Sequence, residues 1–496
     1  MDQRLPGTRL QNATGAALLL ALSLGGCVSA PSTTPQVPQT EPQSLGLGSE
    51  AAPRFQQDWW KAFGDPQLDR LAAEALKANP TLQGALARIR AAQAELSGAR
   101  ALSYPQITLD GQAQRQLLSD RYILPSAFGG TWQSVGDVQA RMNWSLDFWG
   151  KQAALIDKAR GSAQAAALDA TAARQALAGI FAQTYVSLAL AHQNIEVAHQ
   201  TVADRQTILN LTQSRVTSGL ENEAALEQAK ALLAMARIDV RRAEAQRDMG
   251  IHAIAALTGA GAGTYGAITR PSPSLETALP LPTSLPADLL ARRPDILAAR
   301  IRITAAMRGR DAAHADFYPN INLVAAIGFQ ALGFSSLFSA DALTMGAGPA
   351  LHLPIFDAGR LRAQYARATA DLDIAVADYN AAVVGAVRQT ADALTQVSSL
   401  TDQKIEQQKA LDSAAHALAL AEERYRLGLS DQIPMLAAES TLRQARQQMA
   451  ALVAEATSQR VALLLAVGGG FNLADNNPED GHLAVSRLET SQGAKP

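Results

Sequence analysis

The sequence predicts an internally duplicated α+β membrane protein that combines four membrane-crossing strands per chain with long antiparallel helices. Three observations predict this class: a repeat of about 200 residues, two long proline-free stretches, and four segments in which apolar and polar residues alternate. The composition agrees, because 48% apolar, 18% charged and 5% aromatic residues favour closely packed helices over an aromatic-rich core. A net charge of −2 implies no general affinity for nucleic acid.

The N-terminus has the features of a lipoprotein targeting signal. Two arginines precede an apolar run at 16–24, which is too short to span a bilayer as a helix. The next residues, Leu24-Gly25-Gly26-Cys27, resemble a bacterial lipobox, in which the cysteine becomes lipidated and N-terminal. We therefore expect a signal peptide at 1–26, lipid attachment at Cys27 and a lipid-anchored tether at 27–54. An ordinary secretory signal with a chance cysteine is the alternative.

The body of the chain contains two copies of one unit. Asn79-Pro80 and Arg293-Pro294 each open an alanine-rich helical stretch, and a second proline closes it 25 residues later, in Tyr104-Pro105 and Tyr318-Pro319. Proline suits the first helical turn, and it forces the preceding residue out of the helical region where it ends a helix. The predicted segments are a first repeat at 55–270, an inter-repeat linker at 271–286, a second repeat at 287–470 and a flexible C-terminal tail at 471–496.

Each copy also contains a very long helix. Residues 126–270 and 355–433 hold no proline, and we predict helices over 155–217 and 360–426. The first would be roughly 90 Å long at 1.5 Å per residue. Glycines in corresponding positions then cap each helix and turn the chain back antiparallel.

Four segments alternate between apolar and polar residues, as strands with one apolar and one polar face do. They lie at 106–116, 135–148, 320–331 and 345–355. Each is about long enough to cross a bilayer as a tilted strand, and two-faced strands are typical of a water-filled barrel in lipid. The alternative is that the two hairpins cover a soluble core.

Membrane-crossing strands would require several chains to assemble. Unpaired backbone groups at an open sheet edge have no water to bind inside hydrocarbon, and four strands are too few to enclose a water-filled lumen. Three copies would supply twelve strands. The sequence therefore predicts a trimeric twelve-stranded β-barrel that is continued by a long antiparallel α-helical barrel.

No arrangement of residues indicates an enzyme. The seven histidines are scattered, the lone cysteine belongs to the lipobox, and no HExxH motif occurs. Residues 261–266 match the glycine pattern of a dinucleotide-binding loop, but they lack the preceding strand and following helix that this loop requires. We predict no catalytic residue, no metal site and no cofactor.

Several motifs resemble those of a known family, the TolC-type outer-membrane efflux proteins, in the NodT-like lipoprotein branch that pairs with resistance-nodulation-division pumps. They cover nearly all of the mature chain. The motifs are Trp59-Trp60-x-x-Phe63-x-Asp65-Pro66-x-Leu68, Asn79-Pro80, Arg293-Pro294-Asp295-Ile296, Phe317-Tyr318-Pro319, Phe356-Asp357-x-Gly359-Arg360, Arg424-Tyr425-x-x-Gly428 and Gly468-Gly469-Gly470.

The resemblance implies a homotrimer in the outer membrane, lipid-anchored and extending into the periplasm. Residue 28 is Val rather than Asp, which in bacterial lipoproteins implies transfer to the outer membrane. The expected partners are a periplasmic adaptor (a membrane fusion protein), an inner-membrane resistance-nodulation-division transporter and outer-membrane lipid. The implied function is a passive exit duct of a tripartite efflux pump for drugs or other small toxic compounds.

Two alternatives stay open at this stage. The duct could serve type I protein secretion or metal-ion efflux, although the eight methionines show no cluster typical of a copper or silver duct. The chain could also be a lipid-anchored periplasmic coiled-coil structural protein that has no pore.

The resemblance places two further sites at the ends of the long helices. We expect the hairpin tips to dock the adaptor, through Arg215, Gly219, Leu220, Arg424, Gly428 and Leu429. Several family members carry an aspartate nine residues past the second tip glycine, where this chain has Ala437. Ile433 precedes it by one helical turn on the same face, so we expect Ile433 and Ala437 to form an apolar gate constriction. Glu439 should point elsewhere.

Overall fold

A computed structural model describes residues 33–48, 51, 53, 55–119, 121, 129–275, 279, 281–286 and 288–471. The predicted signal peptide at 1–26, Cys27 and the tail beyond 471 lie outside the described residues. The first copy contains α1 (Pro66–Ala78), α2 (Pro80–Ala101), β1 (Gln106–Leu117), β2 (Trp132–Leu146), α3 (Lys151–Thr217) and α4 (Glu223–Leu257). The second contains α5 (Leu289–Arg292), α6 (Pro294–Ala315), β3 (Asn320–Leu332), β4 (Leu343–His352), α7 (Arg360–Arg426) and α8 (Ile433–Ala466).

Two polar residues of the family motifs cap the helices that follow them. The Asn79 carboxamide oxygen accepts hydrogen bonds from the backbone N–H groups of Thr81 and Leu82, at 2.9 and 3.3 Å. Such bonds satisfy the free N–H groups of the first turn of α2. Asp357 does the same for α7, because its carboxylate accepts from the N–H groups of Gly359 and Leu361 at 3.0 and 2.8 Å.

Two of the four strands differ from the predicted segments by more than one residue at their ends. The segment predicted at 135–148 is a strand from Trp132 to Leu146, and the one predicted at 345–355 runs from Leu343 to His352. Register sets the end of β4, because His352 pairs with Asn320, and Asn320 is the first residue of β3, directly after Pro319. The paired ladder therefore stops there, although the alternation of side chains continues to residue 355.

The chain divides into two compact units. The first comprises residues up to Gln39, Arg90–Gln164 and Arg300–Tyr379, and it contains the sheet. Within it, a part of the predicted tether is held by hydrogen bonds. Arg310 donates to the Thr33 carbonyl oxygen at 3.0 Å, and Asp373 accepts from the N–H groups of Gln36 and Val37 at 2.8 and 3.1 Å.

The second unit comprises Thr40–Ile89, Ala165–Ala299 and the residues from Asn380 onward. Its main core packs aromatic residues of the first motif, including Trp59 and Trp60, with residues of α3 such as Tyr185. Asp65 accepts hydrogen bonds from the Tyr185 hydroxyl at 2.7 Å and the Ser272 N–H at 2.8 Å. Burial favours the neutral carboxyl, but these hydrogen bonds hold the pKa of Asp65 below its usual value. Asp65 thus fastens the motif to α3 and to the inter-repeat linker.

One helix of the second unit, α8, is long and apolar enough to cross a membrane by length and composition alone. Buried residues are spread along its whole length, from Met435 to Ala466. These residues pack one side of α8 against its unit, whereas the other side is exposed and only 39% of its most apolar stretch is buried.

Candidate functional site: an uncovered sheet face and two hairpin tips

The four strands form one antiparallel sheet in the order β1-β2-β3-β4. The register aligns the apolar residues of all four strands in rows: Leu109 pairs with Ala140, Ala140 with Ile327, and Ile327 with Met345. Because side chains alternate between faces along a strand, these rows build one continuous apolar face across the sheet.

Leu337 covers Gly136 at one end of this apolar face, and the rest of the face is open in the described chain. Side-chain exposure is 72% for Ile107, 75% for Leu109 and 70% for Met345. Large apolar side chains in a continuous exposed patch mark a contact with lipid or with another protein. Within the described chain this face therefore covers no core, and it is suited to contact with lipid or with another protein.

The opposite face of the first hairpin is polar. Neighbouring side chains along β1 and β2 bond to one another, as in Thr108 to Asp110 at 3.1 Å and Gln139 to Asp137 at 2.9 Å. A hairpin with one apolar and one polar face fits the wall of a barrel between lipid and water.

The first tip lies at the end of α3 and closes with a Schellman turn. The N–H of Leu220 donates to the carbonyl oxygen of Arg215 at 2.8 Å, and that of Gly219 donates to Val216 at 3.0 Å. Gly219 has a φ of 75°, a left-handed conformation that glycine adopts without strain. The Leu220 side chain is 68% exposed.

The second tip repeats this geometry at the end of α7. The N–H of Leu429 donates to the carbonyl oxygen of Arg424 at 2.9 Å, Gly428 has a φ of 73°, and Leu429 is 66% exposed. Each tip therefore presents a leucine to solvent beside an unhindered glycine. Neither glycine has a heavy atom within 4 Å of the position that a Cβ would take, so the turn itself is what requires them.

The two tip arginines differ in environment. The Arg215 guanidinium lies over the Tyr425 ring at 4.7 Å and its side chain is 22% exposed, whereas Arg424 is exposed. A cation over an aromatic ring is held in place. Arg215 thus joins the first hairpin to the second, a role that the sequence repeat did not reveal.

The residues predicted to form the constriction share one exposed side of α8. Ile433 is 64% exposed and Ala437 is also exposed. Asp431, which the sequence argument overlooked, lies just before the helix, and its carboxylate accepts a hydrogen bond from the Ile433 N–H at 3.1 Å. It is exposed, so a carboxylate is present near the predicted apolar constriction.

Glu439 instead faces into the unit, where it forms an ion pair with Arg205 of α3. The two side chains are 3.1 Å apart at their nearest charged atoms, and each is 7% exposed. Burial lowers the pKa of Arg205 and raises that of Glu439, although the attraction between the two charges shifts each pKa in the opposite direction. Loss of hydration therefore outweighs the ion pair for both groups.

Sequence reasoning missed this pair, although a signal was present. Arg205 lies three residues before the buried Ile208 and Glu439 three residues before the buried Leu442. Residues three apart share a helix face, so each charge interrupts a buried stripe. A charge at such a position predicts a buried partner, but it does not say which helix supplies that partner.

Comparison with known proteins identifies the family. The model of the family described as outer membrane efflux protein matches residues 71–260 and 285–469. This chain belongs to the outer membrane efflux protein family. The two matched ranges each hold one helix-strand-strand-helix-helix unit, in line with the duplication.

Similarity to individual proteins agrees with this family assignment. This efflux protein is 36% identical to the fusaric acid resistance protein FusA of Burkholderia cepacia over 72% of this chain and 69% of the relative. It is 31% identical to the pyoverdine export outer membrane protein OpmQ of Pseudomonas putida over 92% and 97% of the two chains. The crystal structure of the outer membrane protein VceC of Vibrio cholerae matches with a TM-score of 0.78 and 32% identity, covering 84% of this chain and 100% of VceC.

A more distant structure supports the fold alone. The outer membrane channel CmeC of Campylobacter jejuni is 21% identical, with a TM-score of 0.82 over 93% of this chain and 98% of CmeC. The family membership that the sequence motifs predicted is confirmed, and this protein is an outer-membrane efflux protein.

Proposed function

We propose that three copies of this efflux protein form the passive exit duct of a tripartite pump for drugs or other small toxic compounds. One observation carries the proposal: the apolar sheet face is uncovered while β1 and β4 are both edge strands. In hydrocarbon each open edge would leave unpaired backbone groups, which costs several kcal/mol per group. Pairing β4 of one copy with β1 of the next removes every edge and gives a twelve-stranded barrel.

The helices supply the remainder of the duct. α3 and α7 have 67 residues each, and a straight helix of that length measures about 100 Å. In a trimer these helices and their antiparallel partners α4 and α8 form a tube through the periplasm. An inner-membrane resistance-nodulation-division transporter would supply the energy, and a periplasmic adaptor would join it to the tips.

Accumulation of an efflux dye tests this function. A strain that lacks the gene should retain more ethidium than its parent, and the gene on a plasmid should restore export. A lipid-anchored coiled-coil structural protein without a pore predicts equal accumulation in both strains. If export of a secreted protein or of copper ions fails instead of ethidium export, the duct serves type I secretion or metal-ion efflux.

We predict that the protein is lipidated at Cys27. We expect mass spectrometry of the mature N-terminal peptide to find Cys27 as residue one, carrying acyl chains. Each buried methylene contributes about 0.8 kcal/mol, so two or more chains anchor the protein stably. Cleavage elsewhere, or an unmodified Cys27, contradicts the prediction. Because the strands also hold the protein in the membrane, Cys27→Ala should impair sorting more than insertion.

The tips are proposed to dock the adaptor through backbone approach at Gly219 and Gly428 and contact with the two exposed leucines. Replacing Leu220 and Leu429 together by aspartate should leave the trimer intact, since both are exposed. Loss of two apolar contacts should weaken adaptor binding by about tenfold or more, measured by pull-down with purified adaptor. Normal adaptor binding by the double variant would show that the tips are not the docking site. Asp substitution of the exposed Ile405 of α7 provides a control away from the tips.

The gate is proposed to close through apolar packing at Ile433 and Ala437. Conductance of the reconstituted wild-type trimer should then be little affected by multivalent cations on the periplasmic side, and Ala437→Asp should introduce block. A ring of carboxylates binds cations, whereas an apolar constriction closes by excluding water. Strong block of the wild type that Asp431→Asn abolishes would identify Asp431 as the gate residue. Block abolished by Glu439→Gln would contradict the proposed orientation of α8.

A further inference from the structure

The polar face of the sheet is divided into two unlike halves. One row of paired residues crosses it as Thr108, Arg141, Ala326 and Gly346. The adjacent row consists of Gln106, Asn143, Val324 and Gly348. Both rows begin with hydrogen-bonding or charged side chains on β1 and β2 and end with small apolar residues on β3 and β4.

These two rows line a cavity of about 580 Å³. That volume lies within the range of roughly 300–1,000 Å³ found for small-molecule sites. Among the described residues that line it, Arg141 is the only charged one. A ligand in this cavity would meet a cationic, donor-rich wall on one side and an apolar floor on the other.

The glycines of β4 have no structural explanation within the described chain. At Gly328 of β3, an added Cβ would lie 2.2 Å from the Val138 carbonyl oxygen, so close backbone packing requires glycine there. At Gly346 and Gly348 an added Cβ would meet nothing within 4 Å. Glycine weakens a strand interior, and in these two positions the space above the backbone stays open.

We propose that this cavity is a subsite for small amphipathic organic anions that pass through the barrel. The proposal rests on the proposed function, because closure of the barrel is what turns the polar face toward the lumen. An anionic group would lie beside the Arg141 guanidinium, and the apolar body would lie over Val324, Ala326 and the two glycines of β4.

The surroundings of Arg141 make this a weak site. Its guanidinium lies 3.8 Å from Asp137, and its Nε donates to the Gln139 side-chain oxygen at a long 3.4 Å. Part of its charge is thus already balanced, so an anion gains only a modest attraction. Weak binding suits a duct, because cargo that binds tightly would not leave.

Single-channel recording on the purified trimer in planar bilayers tests the proposal. The probes are 2-naphthoate, the neutral 2-naphthol and the cationic 2-naphthylmethylammonium, each added at the extracellular side. We expect brief current blocks from 2-naphthoate, and much rarer ones from the other two. Arg141→Gln should reduce the affinity for 2-naphthoate by about threefold to fivefold, the factor that loss of one exposed charge pair produces.

Gly348→Val fills the open space and should abolish the blocks. Gln114→Val, on the same face but outside the cavity lining, is the matched control and should leave them unchanged. A conducting wild-type trimer that 2-naphthoate does not block overturns the subsite and leaves the duct intact. Equal block by all three probes, or block unaffected by Arg141→Gln, overturns it too. If the protein forms no conducting trimer, both the proposed barrel and the proposed subsite are wrong.

Discussion

Replacing Glu439 by leucine is expected to destabilise the contact between α3 and α8 by about 3–5 kcal/mol, the cost of leaving one member of a buried ion pair without its partner. Arg205 would stay 7% exposed, and its guanidinium cannot lose its proton at neutral pH. Arg205→Met should cost less, because Glu439 can take up a proton instead. The double variant should recover most of the loss, since both charges are removed.

Hydrogen exchange of the amides in the first turns of α8 measures this local stability. Glu423→Leu is the matched control, because Glu423 is half exposed and pairs with Arg426 of its own helix. Its exchange rates should match those of the wild type. Equal protection in Glu439→Leu and in the control would show that the ion pair contributes nothing to the contact.

The same pair gives a pH dependence with a definite sign. Burial raises the pKa of Glu439, an effect that the attraction of Arg205 and Arg443 opposes and that Asp204 and Glu422 reinforce. A carboxyl with a raised folded pKa contributes stability that is complete below its unfolded pKa and is lost as pH rises through the folded value. In Arg205→Met this contribution dominates, so the contact should become more stable on acidification. Glu439→Leu lacks the carboxyl and should show no such change.

Gly328→Ala is expected to prevent correct formation of the sheet. Its Cβ would lie 2.2 Å from the Val138 carbonyl oxygen and 2.5 Å from the Gln139 Cα, and both are backbone atoms of the paired strand. Forcing two central strands apart should cost about 3 kcal/mol or more. The yield of heat-modifiable oligomer on gels, which counts assembled protein, should fall sharply.

Gly111→Ala controls for the general effect of adding a methyl group to a strand. The nearest atom to its Cβ would be a Val138 methyl group at 3.9 Å, an ordinary contact, so this variant should assemble normally. Assembly of Gly328→Ala at the wild-type level would mean that β2 and β3 do not approach as closely as described here.

Local signals in the sequence predicted the elements whose structure is locally determined. The Schellman turns at Gly219 and Gly428 were predictable because each needs one left-handed residue at the end of a helix. The strand at Gln106–Leu117 was predictable because Pro105 ends the preceding helix and Ile107, Leu109 and Ala113 alternate with polar residues. The start of β2 at Trp132 was missed, since Ser134 and Gly136 interrupt the apolar pattern there.

Features that depend on packing between the two repeats were not predictable in the same way. Arg205 lies on α3 of the first repeat and Glu439 on α8 of the second repeat. No sequence spacing indicates that these two helices contact each other. The contact of Arg215 with Tyr425 is a second case, because the repeat suggested that Arg215 and Arg424 have the same role. The packing of the first repeat against the second makes the environments of the two arginines different.

We propose that four strands per chain close into a barrel only when three chains assemble. Native mass spectrometry of the protein extracted from outer membranes in mild detergent tests this directly. We expect one dominant species with three times the mass of the mature lipidated chain, since β1 and β4 each need a partner strand from another protomer. A monomer that stays folded and membrane-inserted, with both sheet edges unpaired, would contradict it.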